Sequence, residues 1–261
     1  GSKDEIIYLQ GINFSNFNYT GDFQDIPHHT KRDFFSVRDM GMNVIRFGLS
    51  YEFFEKDDMP YQYNQEAWVW LDKQIAWAKE AGVYVILNMH IVPGQMNDNM
   101  MGLTTNLEHQ KRTAALWKAI AERYRDETTI AGYDLINEPS FITETEYQSY
   151  AQLLIDTIRD VDPNHLIIVE AINFEPPLFV LVDDENVMYD FHFYRPYDFT
   201  HENGSDQISS GTYPDEDYLE LNFETLRALE ITRTPALSSG SSDWALFESP
   251  IEEPGSQGNG T

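Results

Sequence analysis

Short apolar runs alternate along this chain with longer stretches in which apolar residues return every three or four positions. The runs predict strands over residues 6–12, 42–47, 83–87, 132–136, 166–169 and 187–191. The stretches between them predict helices. One follows Thr30 as cap, covers residues 31–40 and stops at Gly41. A second follows Asn64, carries Trp68, Leu71, Ile75 and Ala78 on one face and ends at Gly82. A third opens with the capping box Thr105 and Glu108 and turns Leu116, Ile120 and Tyr124 to one side. A fourth opens with Thr143 and Glu146, buries Tyr147, Ala151, Leu154 and Ile158, and is blocked at Pro163.

The run over 83–87 is apolar throughout, as a parallel strand covered on both faces requires. Six strands with helical crossovers between most of them predict an α/β chain, either a barrel or a doubly wound sheet. No strand is followed by Gly-x-Gly-x-x-Gly or by a Walker sequence, which disfavours nucleotide binding and points to a (β/α)8 TIM barrel. The regularity stops near Asn203. Residues 215–230 fit a helix, and 234–261 are rich in Ser, Gly, Pro and Glu. Two whole βα units are tight in that space: they are abbreviated, the chain is truncated, or an inserted module begins there. The expected organisation is a barrel over residues 3–232, open to being incomplete at its C-terminal strands. An irregular tail follows over 233–261, with the start of an inserted or appended β module as its alternative reading.

Composition narrows the partners. A length of 261 residues suits one barrel, for which about 250 is typical, and 41% hydrophobic residues supply its core. No apolar run approaches the roughly 18 residues of a membrane helix. Seventeen basic and 44 acidic residues give a net charge of −27, which repels nucleic acid and anionic lipid and suits a neutral substrate. Neither nucleic acid nor membrane is therefore an expected partner. The absence of cysteine excludes thiol chemistry, disulfides and thiolate metal sites, and leaves the compartment open. No signal peptide is evident. Gly1-Ser2 is a pair of the kind an expression tag leaves, so a secreted protein whose signal was cut away is the expectation. Aromatics reach 14%, with Phe14, Tyr51, Phe53, Phe54, Tyr61 and Tyr63 among those in expected loops. Such rings stack on sugar faces, although each one taken singly reads as packing.

In a barrel, chemistry collects at the C-terminal ends of the strands. Those positions hold Arg46 on the second strand, Asn88 and His90 on the third, and Asn137, Glu138 and Pro139 on the fourth. Glu170 and Asn173 stand on the fifth, and His192 and Tyr194 on the sixth. Each has a structural reading as a satisfied polar residue, and Glu138 also as a helix N-terminal charge. His109 and His165 read as surface positions. No two histidines have zinc spacing with a carboxylate nearby, so neither a metal nor another cofactor is expected.

Ile136-Asn137-Glu138-Pro139 resembles the Asn-Glu-Pro signature of glycoside hydrolase family five, which includes cellulases and mannanases. The segments at residues 9–13, 43–46, 88–94 and 191–194 are similar to the family's first, second, third and sixth strands, in the same order. The resemblance covers roughly residues 6–201 and implies a (β/α)8 barrel that cleaves β-1,4-linked glycans of the cellulose, β-glucan or mannan type with retention. Such hydrolysis needs a proton for the departing oxygen and a carboxylate to meet the positive anomeric carbon. By the resemblance Glu138 is the acid/base, its pKa raised by burial and a nearby carboxylate. Asn137 would bind the sugar's 2-hydroxyl, Arg46 and Tyr194 would hold the nucleophile, and His90 and His192 would bind sugar and steer the proton on Glu138. The partner is then a β-linked oligo- or polysaccharide. The sequence fixes neither the sugar nor the oligomeric state.

The family's strand-seven glutamate has no clear match. The strand-like segment 235–240 is followed by Ser241, and the next acid of interest, Glu248, lies in a segment that reads equally as an edge strand of a sandwich. The nucleophile is left unassigned. It is Glu248 or another C-terminal acid, or it belongs to a part of the protein absent from this chain, and in any competent form a carboxylate is expected beside Arg46 and Tyr194. A pairing of Arg46 with a carboxylate of the first six strands, such as Glu170, would overturn this expectation and move the reading towards a carbohydrate-binding barrel without turnover. A third reading is another barrel enzyme with Glu138 as a general base.

Overall fold

A computed structural model describes residues 7–16, 29–95, 106–139, 143–174 and 177–192 of the chain. Its elements in order are β1 (Gly11–Phe14), α1 (Lys31–Asp39), β2 (Val44–Ser50), α2 (Tyr51–Phe54), α3 (Gln65–Ala81), β3 (Tyr84–Ile91) and α4 (Leu107–Tyr124). They are followed by β4 (Ile130–Asp134), α5 (Glu144–Arg159), β5 (Leu166–Glu170), β6 (Ile172–Phe174), β7 (Pro177–Leu178) and β8 (Val187–Asp190). The expected helix over 215–230 and the tail over 233–261 lie outside the described residues.

The helices start and stop for the reasons their sequences suggest. Thr30 and Asp33 close a capping box on α1. Asn64 caps α3 by accepting from Glu66 N–H at 3.0 Å, and Gly82, at φ 76°, ends it in the left-handed conformation that glycine adopts without strain. Thr143 and Glu146 cap α5. One cap is corrected. Asn106, not Thr105, caps α4, its side chain accepting from Glu108 N–H at 3.0 Å; Thr105 lies outside the described residues. A single turn, α2, was not anticipated. It buries Tyr51, Phe53 and Phe54, so these rings are core and not sugar platforms.

The six main strands are all parallel and neighbour one another in the order β1-β2-β3-β4-β5-β8. A doubly wound sheet reverses direction of travel at a switch point. Here each strand adds beside the one before it, which is barrel topology and settles that alternative. The strand β6 pairs antiparallel with β7 in a small excursion between β5 and β8.

Alternation along the strands divides the core. Ile45, Phe47, Leu49, Val85, Leu87, Met89, Ile167 and Val169 pack outward against the helices. Val44, Ile86 and Ile168, joined by Tyr84, Leu166 and Met188, form a separate apolar cluster on the other face. Two residues further along the same face stand Arg46, Asn88, Glu170 and Asp190. The interior thus changes from apolar to polar towards the strands' C-terminal ends, and this polar layer is the floor of the site. His165 corrects another expectation. It is buried at the opposite end of the sheet, its Nδ1 2.5 Å from Asp162 Oδ2, with Tyr133 OH donating to the same oxygen at 2.8 Å. His109 is half-buried rather than a surface residue.

Candidate active site

A cavity of about 300 Å³ opens over this layer, lined by Asn13, Phe14, Ser15, Arg46, Gly48, His90, Asn137, Glu138 and His192. Five of the six residues to which the resemblance gives a role, Arg46, His90, Asn137, Glu138 and His192, therefore share one cavity. Tyr194, the sixth, lies outside the described residues, as does Glu248. Asn13, Ser15 and Gly48 were missed.

Arg46 is the centre of the polar layer. Its Nε donates to Asp134 Oδ2 at 2.7 Å, and its Nη2 donates to Asn137 Oδ1 at 3.0 Å and to Glu170 Oε1 at 2.5 Å. The expectation that Arg46 pairs with a C-terminal carboxylate is corrected for the described residues: both its carboxylate partners come from the first six strands. The reason is register. Asp134 and Glu170 project from β4 and β5 into the same face as Arg46, so they reach the guanidinium directly. Asn88 donates from Nδ2 to Asp134 Oδ2 at 2.9 Å and offers Oδ1 to His90 Nδ1 at 3.1 Å, which ties β3 into the same network.

Glu138 follows β4 in a left-handed conformation, φ 46°, uncommon for a residue with a side chain. Its backbone N–H donates to Glu170 Oε2 at 2.6 Å, and its Oε1 lies 2.7 Å from His192 Nδ1. The other ring nitrogen of His192 stands 3.5 Å from Glu170 Oε2. Asn137 is buried, with its N–H on Met89 O at 3.1 Å.

The electrostatics follow from one guanidinium facing several carboxylates out of water. Burial, then the charge of Asp134, raises the Glu170 carboxyl well above the usual range. Burial and Asp134 also raise that of Asp190. Burial opposes the Arg46 charge, but Asp134 and Glu170 outweigh it and the guanidinium is held more firmly protonated. Burial, reinforced by Arg46, lowers the His90 imidazole to about 4, so it is neutral at ordinary pH. Glu170, Asp190 and His192 bring ligand-type atoms within 4.8 Å of one another. Glu170 and His192 already engage Arg46 and Glu138, so the group reads as a hydrogen-bonded network. Asp190 could have been found from sequence, since alternation places it in phase with His192.

The sequence pattern of the family described as Cellulase (glycosyl hydrolase family 5) matches residues 5–230. The chain belongs to this family. Among the proteins it is similar to, endoglucanase C of Acetivibrio thermocellus is 26% identical over 179 residues, 66% of this chain and 52% of that protein. A β-xylosidase of Phanerodontia chrysosporium is 30% identical over 182 residues, 65% of this chain and 38% of that one. The chain thus spans about half the length of the endoglucanase. The fold is that of endoglucanase Cel5A from Thermotoga maritima, with a TM-score of 0.69 at 23% identity, covering 85% of this chain and 74% of the other. That protein has also been solved in complex with mannotriose and with cellobiose.

Proposed function

We propose that this chain is the catalytic barrel of a retaining glycoside hydrolase that cleaves β-1,4-linked glycans of the cellulose, β-glucan or mannan type, with Glu138 as acid/base. The observation that carries this reading is the placement of the Glu138 carboxyl in the cavity against His192 Nδ1. A protonated Glu138 can give its proton to the glycosidic oxygen as the bond breaks. As a carboxylate it can take one from the water that resolves the intermediate. Asn137, oriented by Arg46, presents its side chain to the same cavity and suits a sugar hydroxyl. His90, neutral, adds a donor or acceptor without adding charge. The second carboxylate comes from outside the described residues, with Tyr194 as a partner for it. The cellobiose and mannotriose complexes of the Thermotoga protein support gluco- and manno-configured substrates alike. A polymeric substrate that cannot cross a membrane supports a site of action outside the cell.

The test is Glu138→Gln, assayed on soluble β-glucan and mannan by release of reducing ends. The amide keeps the shape but cannot donate the proton, so turnover is expected to fall by about 10²–10⁴-fold. An activated aryl glycoside, whose leaving group needs little protonation, should lose far less in its cleavage step. Full turnover of the variant on polysaccharide would remove Glu138 from the mechanism.

A second reading is a carbohydrate-binding barrel without turnover. It is favoured by the pairing of Arg46 with Asp134 and Glu170. Binding of cellotriose by the unmutated protein with no release of reducing ends would decide for it.

A further inference from the structure

The sequence places Glu170 at a strand end and names it as a possible partner of Arg46. The structure gives it a more particular place. It is buried at the end of β5, 2% exposed, and is not among the residues lining the cavity. Oε1 accepts from Arg46 Nη2; Oε2 accepts from the backbone N–H of Glu138 and faces His192 Nε2. One carboxylate thus touches the backbone of the proposed acid and stands across from the imidazole that touches that acid's side chain.

Both contacts matter to Glu138. A non-glycine residue at φ 46° carries a strain of about 1–3 kcal/mol and keeps that conformation only where its surroundings hold it. The N–H bond to Glu170, at 2.6 Å, is such a hold. The second contact concerns the proton. Of the two tautomers that the His192–Glu138 contact admits, a carboxylate opposite Nε2 favours the one with its hydrogen there, leaving the Nδ1 lone pair for its other neighbour. That neighbour is Glu138 Oε1. A protonated Glu138 then donates to Nδ1 and is held in one orientation.

We propose that Glu170 is a positioning residue for the acid/base: through the Glu138 N–H and His192 it fixes the turn that aims Glu138 into the cavity and the ring nitrogen that receives the acid's hydrogen bond. This rests on the reading of Glu138 as the acid. Because Glu170 does not line the cavity, its removal is expected to act on kcat far more than on substrate binding.

The test is Glu170→Gln in the whole protein, with Glu138→Gln beside it. For Glu170→Gln, kcat on soluble β-glucan is expected to fall on the order of 100-fold with KM within about twofold, the scale set by misplacement of a catalytic group. Cleavage of an activated aryl glycoside should fall less than about tenfold. An unchanged kcat, or equal losses on both substrates, overturns the proposal. If Glu138→Gln abolishes turnover while Glu170→Gln behaves as wild type, this inference alone fails; if Glu138→Gln stays active, the acid assignment fails. A measurement independent of folding variants and of turnover uses the unmutated protein: the ring ¹⁵N shifts of His192 near neutral pH. A neutral ring protonated at Nε2 supports the proposal. A hydrogen on Nδ1, or on both nitrogens, overturns it.

Discussion

Half-buried beside the Arg46 guanidinium, His90 keeps a neutral imidazole down to about pH 4, against an ordinary 6.5. The folded value is depressed, so the unfolded chain takes up the proton first as pH falls. The contribution of His90 to stability is therefore complete above pH 6.5 and is lost between 6.5 and about 4, by on the order of 3 kcal/mol at most. Glu170 acts in the opposite sense. Its raised carboxyl favours the folded state at low pH and withdraws that support as pH rises through and above 4.5. Chemical denaturation of the wild type and His90→Asn at pH 7 and pH 4.5 separates the two: the variant should lose less stability on acidification, and equal losses would show that His90 is not the group responsible. Five of the cavity residues, Arg46, His90, Asn137, Glu138 and His192, were legible because strand ends in a barrel are where polar groups have a use. The partner of Arg46 was not. The rule that a buried guanidinium needs an anion is satisfied equally by Asp134, Glu170 or an acid further on, and only the register of β4 and β5 decides among them.

At the scale of elements, the turn α2 and the helix α4 are joined by a buried ion pair. Arg112 on α4 donates from Nε to Glu55 Oε1 at 2.7 Å and from Nη2 to Asp57 Oδ1 at 2.9 Å. Glu55 also accepts the backbone N–H of Tyr61 at 2.7 Å, holding the loop after α2. Arg112→Met leaves Glu55 buried without its counter-charge and is expected to cost about 3–5 kcal/mol in urea denaturation. The pair Arg112→Met with Glu55→Leu should recover much of that loss. A single variant within about 1 kcal/mol of wild type would show the pair to be solvated and dispensable. Such a clamp between residues more than fifty apart leaves no mark in local periodicity, and α2, four residues long, is too short to show a period at all. The longer helices were legible to within a residue or two because their caps are local. The second and third strands were read too short at their C-terminal ends. Gly48-Leu49-Ser50 and Asn88-Met89-His90 pair in the sheet as far as Ser50 and Ile91, but their inward residues are small or polar, as the cavity requires. Hydropathy alone makes such a strand end look like the start of a loop.

For the molecule as a whole, periodicity alone fits a barrel and a doubly wound sheet, because crossover helices look alike in either; the missing nucleotide motifs pointed to the barrel, and the neighbour relations of the strands agree. The charge, by contrast, is legible in full from composition. A net −27 on one chain means that acidic groups outnumber basic ones by 27, so their repulsion is not offset by pairing. The exposed pairs, such as Arg123 with Asp72 and Lys79 with Glu127, are each worth about 1 kcal/mol or less, too little to offset that repulsion. Added salt screens both effects, but the repulsion is longer in range and more numerous in its pairs. Between about 0.01 M and 1 M salt the screening length shrinks from about 30 Å to about 3 Å, so the repulsive sum falls away before the contact pairs do. The melting temperature is therefore expected to rise by several degrees over that range, with most of the gain below about 0.2 M. A neutral glycan feels no such field, and KM on soluble β-glucan should stay within about twofold across the same series. Thermal denaturation in sodium chloride, repeated with an uncharged osmolyte at matched osmolality, separates screening from general exclusion. A melting temperature that falls with salt would mean that the paired charges outweigh the unpaired ones and that the acidic surface is a source of stability.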